Sequence, residues 1–275
     1  MTLIVQISDL HVQTPGTLAY GVVDTNPLVK MAIAHINQLT PQPNVVVATG
    51  DLVQNGTVAN YLQLKAILSD LHAPIYLMPG NHDHSSHLKQ VFTDHPYLLS
   101  AEDHLSYVVE DYPIRMIMLD NTLSHNKLGG LDDQRLAWLE TQLKKAPEIP
   151  TLLFMHHPPF RTGIPWMDRR QPEKSDELAS LIAQHPQIER VSCGHLHRSM
   201  YRRWAGTIAS SQASLVHQGG LDLRPDTASQ FVMEPPAYQL HIWENESLVS
   251  HTVFVGDFDG PYRFSDGQKM MAEMS

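Results

Sequence analysis

Five apolar stretches of the chain each end just before a polar side chain that can bind a metal ion. The stretches cover residues 4–7, 45–48, 75–78, 152–155 and 190–193, and each has the length of a buried β-strand. The polar residues that follow them are, in chain order, Asp9 with His11, Asp51, Asn81, His156, and His195 with His197. The pattern predicts that every candidate ligand lies beyond the carboxyl end of a strand.

Helical periodicity separates these strands. Asp24 and Thr57 can cap two helices, a third is predicted to open near Asp132, and a fourth is predicted to run from Ser175. Each has apolar positions spaced as on one face of a helix. Alternating strands and helices indicate βαβ units, so the class is α/β. In open α/β sheets, functional groups gather beyond the carboxyl ends of the strands, so the ligands are expected to converge on one edge.

After residue 200 the pattern changes to β-hairpins. Strands are predicted at 204–208, 214–217, 238–243 and 248–255, with a turn at 244–247. We therefore expect one catalytic domain over residues 1–275, in which 1–200 carry the ligand motifs and 201–256 contribute to a second sheet packed on the first. Residues 218–237, rich in glycine and proline, are expected to form a cap or an oligomerisation surface, and 257–275 a C-terminal tail.

Composition excludes several classes of protein. The formal net charge is −10, and the 19 Lys and Arg residues form no basic run, so a nucleic acid polymer is not expected as a partner. The sequence has a single cysteine, Cys193, so an intrachain disulfide cannot form. No signal-peptide pattern opens the sequence, and no apolar run approaches the roughly 18 residues that cross a bilayer. We expect a cytoplasmic protein without a membrane partner.

The candidate ligands form a mixed set of imidazole nitrogens and carboxylate or amide oxygens, which suits Fe, Mn, Zn or Co. Seven ligands exceed what one ion needs. The natural partition uses two divalent ions with Asp51 as the bridge. Asp9, His11 and His197 then bind the first ion, and Asn81, His156 and His195 bind the second. Each ion keeps open positions for water and substrate, as in catalytic sites.

Five motifs in this order resemble the signature of the calcineurin-like binuclear metallophosphoesterases. They are Asp9-Leu10-His11, Gly50-Asp51, Gly80-Asn81-His82-Asp83, Met155-His156-His157-Pro158-Pro159 and Gly194-His195-Leu196-His197. The resemblance spans roughly residues 4 to 200 and is strongest to the bacterial glycerophosphodiesterase and class III cyclic-nucleotide phosphodiesterase branch. It implies two packed mixed β-sheets flanked by helices, in a four-layer α/β/β/α sandwich.

The resemblance also implies a mechanism. A hydroxide that bridges the two ions attacks phosphorus in line, and His82 is the catalytic acid-base side chain. Asn81 and His82 are expected to contact the substrate. Two weaker similarities, Ala19-Tyr20-Gly21 and Val216-His217-Gln218, add Tyr20 and His217 as substrate-binding residues.

The expected substrate is a small phosphodiester. Two divalent ions, two carboxylates and a hydroxide leave about one positive charge, which matches the single negative charge of a diester. Gln54 stands where the Ser/Thr protein phosphatases, distant relatives by resemblance, have an Asp, so that activity is disfavoured. Glycerophosphodiesters are favoured, with 3′,5′-cyclic nucleotides such as cyclic AMP as the alternative. A metal-binding regulatory protein with an idle site is the non-enzymatic alternative, and a homo-oligomer is expected.

Two finer expectations concern the ligands. His157 is expected to support the ligands from behind or to pack in the core rather than to bind a metal ion directly, because adjacent residues on a strand point to opposite faces. The second ion is expected to bind more weakly, because Asn81 contributes a neutral amide where the first site has the carboxylate of Asp9.

Overall fold

The structure, a computed structural model, describes residues 1–100, 103–169 and 171–270. The end of the predicted tail, residues 271–275, lies outside this part of the chain. In chain order the elements are β1 (Thr2–Ile7), α1 (Thr25–Asn37), β2 (Val45–Thr49), α2 (Val58–Leu68), β3 (Ile75–Met78), α3 (Ser85–Val91), α4 (Pro96–Leu99), β4 (Tyr107–Val109), β5 (Arg115–Leu119), α5 (Asp133–Lys145), β6 (Thr151–Met155), α6 (Ser175–Ile182), β7 (Ile188–Cys193), β8 (Met200–Trp204), β9 (Thr207–Ser211), β10 (Gln218–Gly219), β11 (Phe231–Val232), β12 (Ala237–Glu244) and β13 (Ser247–Phe254).

The strands form two large mixed sheets. The first has the order β13-β12-β1-β2-β3, in which β1, β2 and β3 are parallel and the C-terminal hairpin is added antiparallel to β1. The second has the order β4-β5-β6-β7-β9-β8, in which the four inner strands are parallel and both edge strands are antiparallel. The predicted architecture of two packed mixed sheets flanked by helices is confirmed.

Side-chain alternation along β5 shows how the layers stack. Met116 and Met118 belong to the core that contains the first sheet and helices α1 and α2, whereas Ile117 and Leu119 belong to a second core with Leu139 of α5. Successive side chains of a strand point to opposite faces. The second sheet is therefore covered by the first sheet on one face and by helices on the other.

A polar group inside the sandwich joins the two sheets close to the ligand-bearing strand ends. The side-chain amide of Gln6 on β1 donates to Thr49 Oγ1 (3.0 Å) and accepts from Ser192 Oγ on β7 (2.6 Å). Thr49 ends β2, and Ser192 lies next to the end of β7. Because buried polar groups cost free energy unless they are paired, this network favours one register between the sheets.

The C-terminal strands do not all belong to the second sheet, as the sequence predicts, but are divided between the two sheets. The hairpin β8–β9 extends the second sheet, but β12–β13 extends the first. Residues 214–217, all described, do not form the predicted strand. Their hydrogen bonds go to the loop after β1 instead: Ser214 Oγ donates to the Asp9 carbonyl (2.7 Å), and Leu215 N donates to the Ser8 carbonyl (3.4 Å).

Residues 218–237 leave the sheets as a short excursion. It contains the two-residue strands β10 and β11, paired antiparallel, and its exposed apolar side chains include Leu221, Leu223 and Met233. Within residues 1–100, 103–169 and 171–270, no helix combines the length and apolar character needed to cross a bilayer.

Candidate metal centre

The predicted ligands meet at one end of the two packed sheets, beyond the carboxyl ends of their parallel strands. The loops after β1, β2 and β3 carry Asp9, His11, Asp51 and Asn81, and those after β6 and β7 carry His156, His195 and His197. Backbone hydrogen bonds join these loops in pairs, such as Asp9 N to Gly50 O (3.0 Å) and Gly194 N to His156 O (3.1 Å). The edge that the sequence predicts is thus shared by two sheets.

Several candidate ligands have an unusual backbone conformation. The φ angles are positive at Asp9 (54°), His11 (46°), Asp51 (47°), His195 (68°) and His197 (50°). The left-handed region is uncommon for residues other than glycine, and strained residues of this kind cluster at functional sites. The surrounding loops hold these residues in tight turns that bring their side chains inward.

The first ligand group consists of Asp9, His11, Asp51 and His197, whose ligand atoms all lie within 4.8 Å of one another. The Nε2 atoms of His11 and His197 are 3.1 Å apart, and His197 Nε2 is 3.2 Å from Asp9 Oδ1. All four side chains are buried or nearly so. The structure thus brings together the set predicted for one ion.

The second group forms around His156. Its Nε2 lies 3.2 Å from Asn81 Oδ1 and 3.4 Å from Asp51 Oδ1, while the other carboxylate oxygen of Asp51 lies 3.8 Å from His11 Nε2. His195 offers a ring nitrogen to the same group. Asp51 therefore faces both groups.

His157 does not point away from the site. Its Nε2 lies 3.2 Å from Asn81 Oδ1, and one of its ring nitrogens lies within 4.8 Å of a ring nitrogen of His156 and of His195. Strand alternation does not apply to this residue because β6 ends at Met155, and His156 and His157 follow in a bend. Asn121 stabilises this bend, because its Oδ1 accepts from the backbone N–H of both histidines (3.1 Å each).

Hydrogen bonds at Nδ1 orient three of the rings. His11 Nδ1 donates to Gln54 Oε1 (2.7 Å), His156 Nδ1 to the Thr49 carbonyl (2.8 Å) and His197 Nδ1 to the His217 carbonyl (2.9 Å). With the proton on Nδ1, each neutral ring directs the lone pair of Nε2 into the cluster. Such outer hydrogen bonds are typical of metal-binding histidines, and the inward lone pairs and carboxylates fit divalent ions.

The electrostatics of the cluster agree with a cation site. Burial alone would raise the pKa of the Asp9 carboxyl, but His197 holds it below the usual range. Burial alone would lower the pKa of His156, yet the Asp51 carboxylate raises it to about 9. Burial lowers the pKa of His11 to about 3. The two buried carboxylates thus favour positive charge beside them, which a proton or a metal ion can supply.

Close packing of glycine supports the second group. A Cβ on Gly50, whose φ is +91°, would lie 2.5 Å from His156 Nδ1. That atom makes the hydrogen bond to Thr49, so a side chain at position 50 would displace the ring. Glycine is thus required between β2 and Asp51 both for its conformation and for its lack of a side chain.

His82 lies beside the cluster and is held by its backbone and its ring. Its N–H donates to Asp51 Oδ1 (2.8 Å), and its Nδ1 donates to the Gln54 carbonyl oxygen (2.8 Å). Its ring lies 4.9 Å from that of His11. The Nε2 atom is left for other contacts.

A cavity of about 520 Å³ opens over the cluster. His82, Tyr20 and His217 line it together with Trp166 and Phe231. The ring of His217 is 4.5 Å from that of His197 and 5.3 Å from that of Tyr20. Tyr20 and His217 therefore lie at the cavity, as do Asn81 and His82, so all four residues predicted to bind substrate line it.

Two residues with clear structural roles at the site are missing from the sequence prediction. Gln54 orients His11 with its side chain and His82 with its carbonyl oxygen. Asp83 accepts from Leu52 N (3.0 Å), Gly80 N (2.8 Å) and Tyr61 Oη (2.8 Å). Asp83 stands inside a recognised motif, but no pattern in the sequence reveals its partners.

Comparison with known proteins agrees with this geometry. The family model for calcineurin-like phosphoesterases matches residues 2–199. The chain is 43% identical over 264 residues to a "probable glycerophosphodiester phosphodiesterase" of Arcobacter nitrofigilis, covering 95% of this chain and 96% of that one. It is 34% identical over 258 residues to a "probable cyclic nucleotide phosphodiesterase" of Rhodopseudomonas palustris, covering 94% and 93%.

A solved structure extends the comparison to the fold. A dimetal phosphatase from Danio rerio superposes with a TM-score of 0.64 at 14% identity, covering 93% of this chain and 99% of that chain. At this identity the likeness concerns the fold alone. The match over residues 2–199 covers all seven predicted ligands and His82, and with the relatives at full length it shows that this chain is a member of the calcineurin-like phosphoesterase family.

Proposed function

We propose that the protein hydrolyses small phosphodiesters of the glycerophosphodiester type in a metal-dependent reaction. The observation that carries the proposal is the position of Asp51, which faces both ligand groups at the floor of a cavity that also contains His82. The relative at 43% identity is named a probable glycerophosphodiester phosphodiesterase, which supports the substrate class.

The residues present fit two divalent ions, from the set of Fe, Mn, Zn and Co. Asp9, His11 and His197 would hold one, Asn81, His156 and His195 the other, and Asp51 would contact both. His157 is a further nitrogen donor beside the second group. When bound, such ions supply an activated hydroxide and neutralise charge at phosphorus.

The side chains of this protein would then bind and orient the substrate. The Asn81 amide and His217 line the cavity over the cluster, where they can contact phosphate oxygens. His82, fixed through Nδ1, presents Nε2 to donate a proton to the leaving alkoxide. Tyr20, about half exposed, forms part of the rim.

Cyclic nucleotides are the second candidate substrate. The cavity has aromatic walls at Tyr20, Trp166 and Phe231, and such faces can stack on a base. The relative at 34% identity carries a cyclic nucleotide phosphodiesterase name. A regulatory protein with an idle site is disfavoured, because such a protein needs neither His82 nor an open cavity.

The test compares metal-loaded protein on three substrate classes. Protein loaded with Mn²⁺ or Co²⁺ is assayed with glycerophosphoethanolamine, cyclic AMP and p-nitrophenyl phosphate. We expect kcat/KM to be highest for the glycerophosphodiester and turnover to stop on chelation. Faster hydrolysis of cyclic AMP or of the monoester contradicts the substrate assignment, and no metal-dependent turnover contradicts the enzyme assignment.

The role of His82 is tested with the same assay. Because general acid catalysis contributes about 10²–10⁴-fold, His82→Ala should lower kcat for glycerophosphoethanolamine by that order. The loss should be smaller for bis(p-nitrophenyl) phosphate, whose leaving group needs no proton. His72→Ala, at an exposed histidine, is the control. Equal losses on both substrates would contradict the acid role.

The cytoplasmic location and the assembly of the protein into a homo-oligomer remain predictions from the sequence. The exposed apolar side chains of residues 218–237 support an assembly. Light scattering on the purified protein tests it, with a monomer at all concentrations as the contrary result.

A further inference from the structure

A second cavity meets the candidate metal centre from another side. Its volume is about 900 Å³, and it extends from Asn81 and His157 between α3 and the start of α5. Among the residues that the structure describes, Asn81 alone lines both this cavity and the one of about 520 Å³. The two cavities therefore diverge from the position where the phosphorus of a substrate is expected.

The two cavities differ in chemistry. The first has the aromatic side chains of Tyr20, Trp166 and Phe231. The described residues that line the second are polar or charged, apart from Gly80, Leu105 and Leu123. Charges of both signs occur there, including Lys127, Arg135 and Asp132. Such a wall offers hydrogen-bond donors and acceptors to a hydroxylated group and little contact area to an apolar one.

A compact turn over residues 123–130, here named the partition, separates the two cavities. Its residues 123–127 line the second cavity and Leu128 lines the first. Asn126 N donates to the Leu123 carbonyl (3.1 Å), and Leu128 N donates to Asn126 Oδ1 (3.0 Å). The side-chain amide of Asn126 also donates to Glu173 Oε1 (2.8 Å). The partition is thus held internally and by a neighbouring segment.

The partition is also packed against the ligand region. A Cβ on Gly129, whose φ is +70°, would lie 2.1 Å from His157 Nδ1. Gly130 N donates to the carbonyl of Asn121, the residue whose side chain accepts from the N–H groups of His156 and His157. The wall between the cavities therefore has a defined position relative to Asn81 and His157.

From this geometry we propose that the site takes acyclic phosphodiesters whose two ester arms enter different cavities. One arm lies in the aromatic-walled cavity, and a small hydroxylated arm lies in the polar cavity behind the partition. In a cyclic phosphodiester both ester oxygens belong to the same organic group, so the substrate occupies only one cavity. The inference rests on the proposed function and makes the polar cavity the determinant of specificity for the second arm.

The test keeps one arm constant and varies the other. Metal-loaded protein is assayed with methyl, glyceryl and phenyl esters of p-nitrophenyl phosphate. The nitrophenyl arm suits the aromatic walls and reports turnover. For the wild type, kcat/KM should be highest for the glyceryl ester, lower for the methyl ester and lowest for the phenyl ester. The advantage of the glyceryl over the methyl ester should be about tenfold or more and should appear mainly in KM.

Three substitutions locate the effect. Ser124 lies on the partition and lines the polar cavity, whereas Ser229 lines the aromatic-walled cavity, and both are exposed. Ser124→Trp should lower kcat/KM for the glyceryl ester to about that of the methyl ester, so that the glyceryl advantage disappears. Ser229→Trp should lower kcat/KM for all three esters. Ser86→Trp fills the polar cavity from α3 and should repeat the Ser124→Trp result.

The outcomes separate this inference from the proposed function. No turnover of any diester by the wild type overturns both. Turnover without a glyceryl advantage, or a glyceryl advantage that survives both Ser124→Trp and Ser86→Trp, overturns the two-cavity inference and leaves diester hydrolysis standing. A greater loss on the glyceryl ester from Ser229→Trp than from Ser124→Trp assigns that arm to the other cavity and also overturns it.

Discussion

Gln54 shows how one residue can act on two others through different atoms. Its side-chain Oε1 accepts from His11 Nδ1, and its backbone carbonyl accepts from His82 Nδ1. A substitution removes the first interaction and keeps the second. The two roles can therefore be separated by mutation.

Gln54→Leu should weaken metal binding more than it lowers turnover. Loss of a hydrogen bond to a metal-binding histidine costs roughly 10–100-fold in metal affinity. At saturating Mn²⁺, kcat should stay within about threefold of the wild type, because His82 keeps its carbonyl partner. Gln54→Glu retains an acceptor and should restore affinity. Calorimetric titration with Mn²⁺ measures the first effect, and unchanged affinity in Gln54→Leu would contradict it.

The sequence is informative about single residues where a side chain has its own chemistry. Asp9, His11, Asp51, Asn81, His156, His195 and His197 were each predicted from a polar residue after an apolar run, and the structure brings them together. Gln54 and Asp83 could not be predicted in this way, because their roles depend on which loops lie beside them. The direction of the His157 side chain could not be predicted from strand alternation, because β6 ends at Met155 and the two histidines follow in a bend.

At the scale of elements, helix α2 supports both loops that carry the Asp51 and Asn81 ligands. Tyr61 on α2 is fully buried, and its hydroxyl donates to Asp83 Oδ1 and accepts from His84 N (2.8 Å each). Asp83 in turn accepts from Leu52 N and Gly80 N. The helix, the β2 loop and the β3 loop are thus joined through one carboxylate.

Tyr61→Phe should lower the free energy of unfolding by about 1–3 kcal/mol, because it leaves His84 N and one carboxylate oxygen without partners. It should also weaken binding of the second ion, since Asn81 lies in the loosened loop. Tyr97→Phe is the matched control: that hydroxyl accepts from Leu77 N (3.0 Å) and donates to the Ile75 carbonyl (3.2 Å), away from the ligand loops. Urea unfolding and Mn²⁺ titration of both variants are the measurements. Equal effects of the two variants on metal binding would contradict the link.

Elements were predictable where local signals decide them. Helix α2 begins after Thr57, whose Oγ1 accepts from Asn60 N (3.2 Å), as its capping pattern predicts. The hairpin β12–β13 turns at Asn245 and Glu246, both with positive φ, within the predicted turn. Residues 214–217 have strand-forming side chains, yet contacts with the loop after β1 determine their conformation. Which sheet each hairpin joins is likewise a tertiary property without a local signal.

At the scale of the whole molecule, the buried carboxylates link metal binding to stability. Asp9 and Asp51 are both at the centre of the cluster and almost without solvent exposure. An ion that binds the folded state stabilises it by about 2.7 kcal/mol at a free concentration of 100 times its Kd. Mn²⁺ should therefore raise the melting temperature, and a chelator should reverse the shift. No shift at saturating Mn²⁺ would contradict a folded-state metal site.

The two ions should bind in unequal steps, because Asn81 is neutral where Asp9 is charged. Asn81→Asp adds a carboxylate beside His156 and His157 and should tighten the weaker step. Calorimetric titration with Mn²⁺ resolves the steps in wild type and variant. Two equally tight steps in the wild type would contradict the expected inequality of the two ions.

His241 lies between the sheets and should make the fold sensitive to acid. It is fully buried on β12, with Nε2 donating to Gln6 Oε1 (3.1 Å) and Nδ1 accepting from Ser250 Oγ (2.6 Å). Burial, reinforced by the charge of Arg190, lowers the pKa of His241 to about 3. The ring is therefore neutral in the folded protein at any pH well above that value.

The unfolded chain titrates this histidine near its ordinary pKa of about 6.5, so between about pH 6.5 and 3 the unfolded state binds one more proton at this position. Stability from neutral His241 is present above the unfolded pKa and is lost as the pH falls, by up to about 1.4 kcal/mol per pH unit.

His241→Gln removes the titrating group, so the difference in unfolding free energy between wild type and variant should shrink or change sign as the pH is lowered from 7 to 4. His251→Gln, at an exposed position on β13, should leave the pH profile of the wild type unchanged. Urea unfolding at a series of pH values measures all three proteins, and parallel profiles for wild type and His241→Gln would show that acid acts on the fold elsewhere.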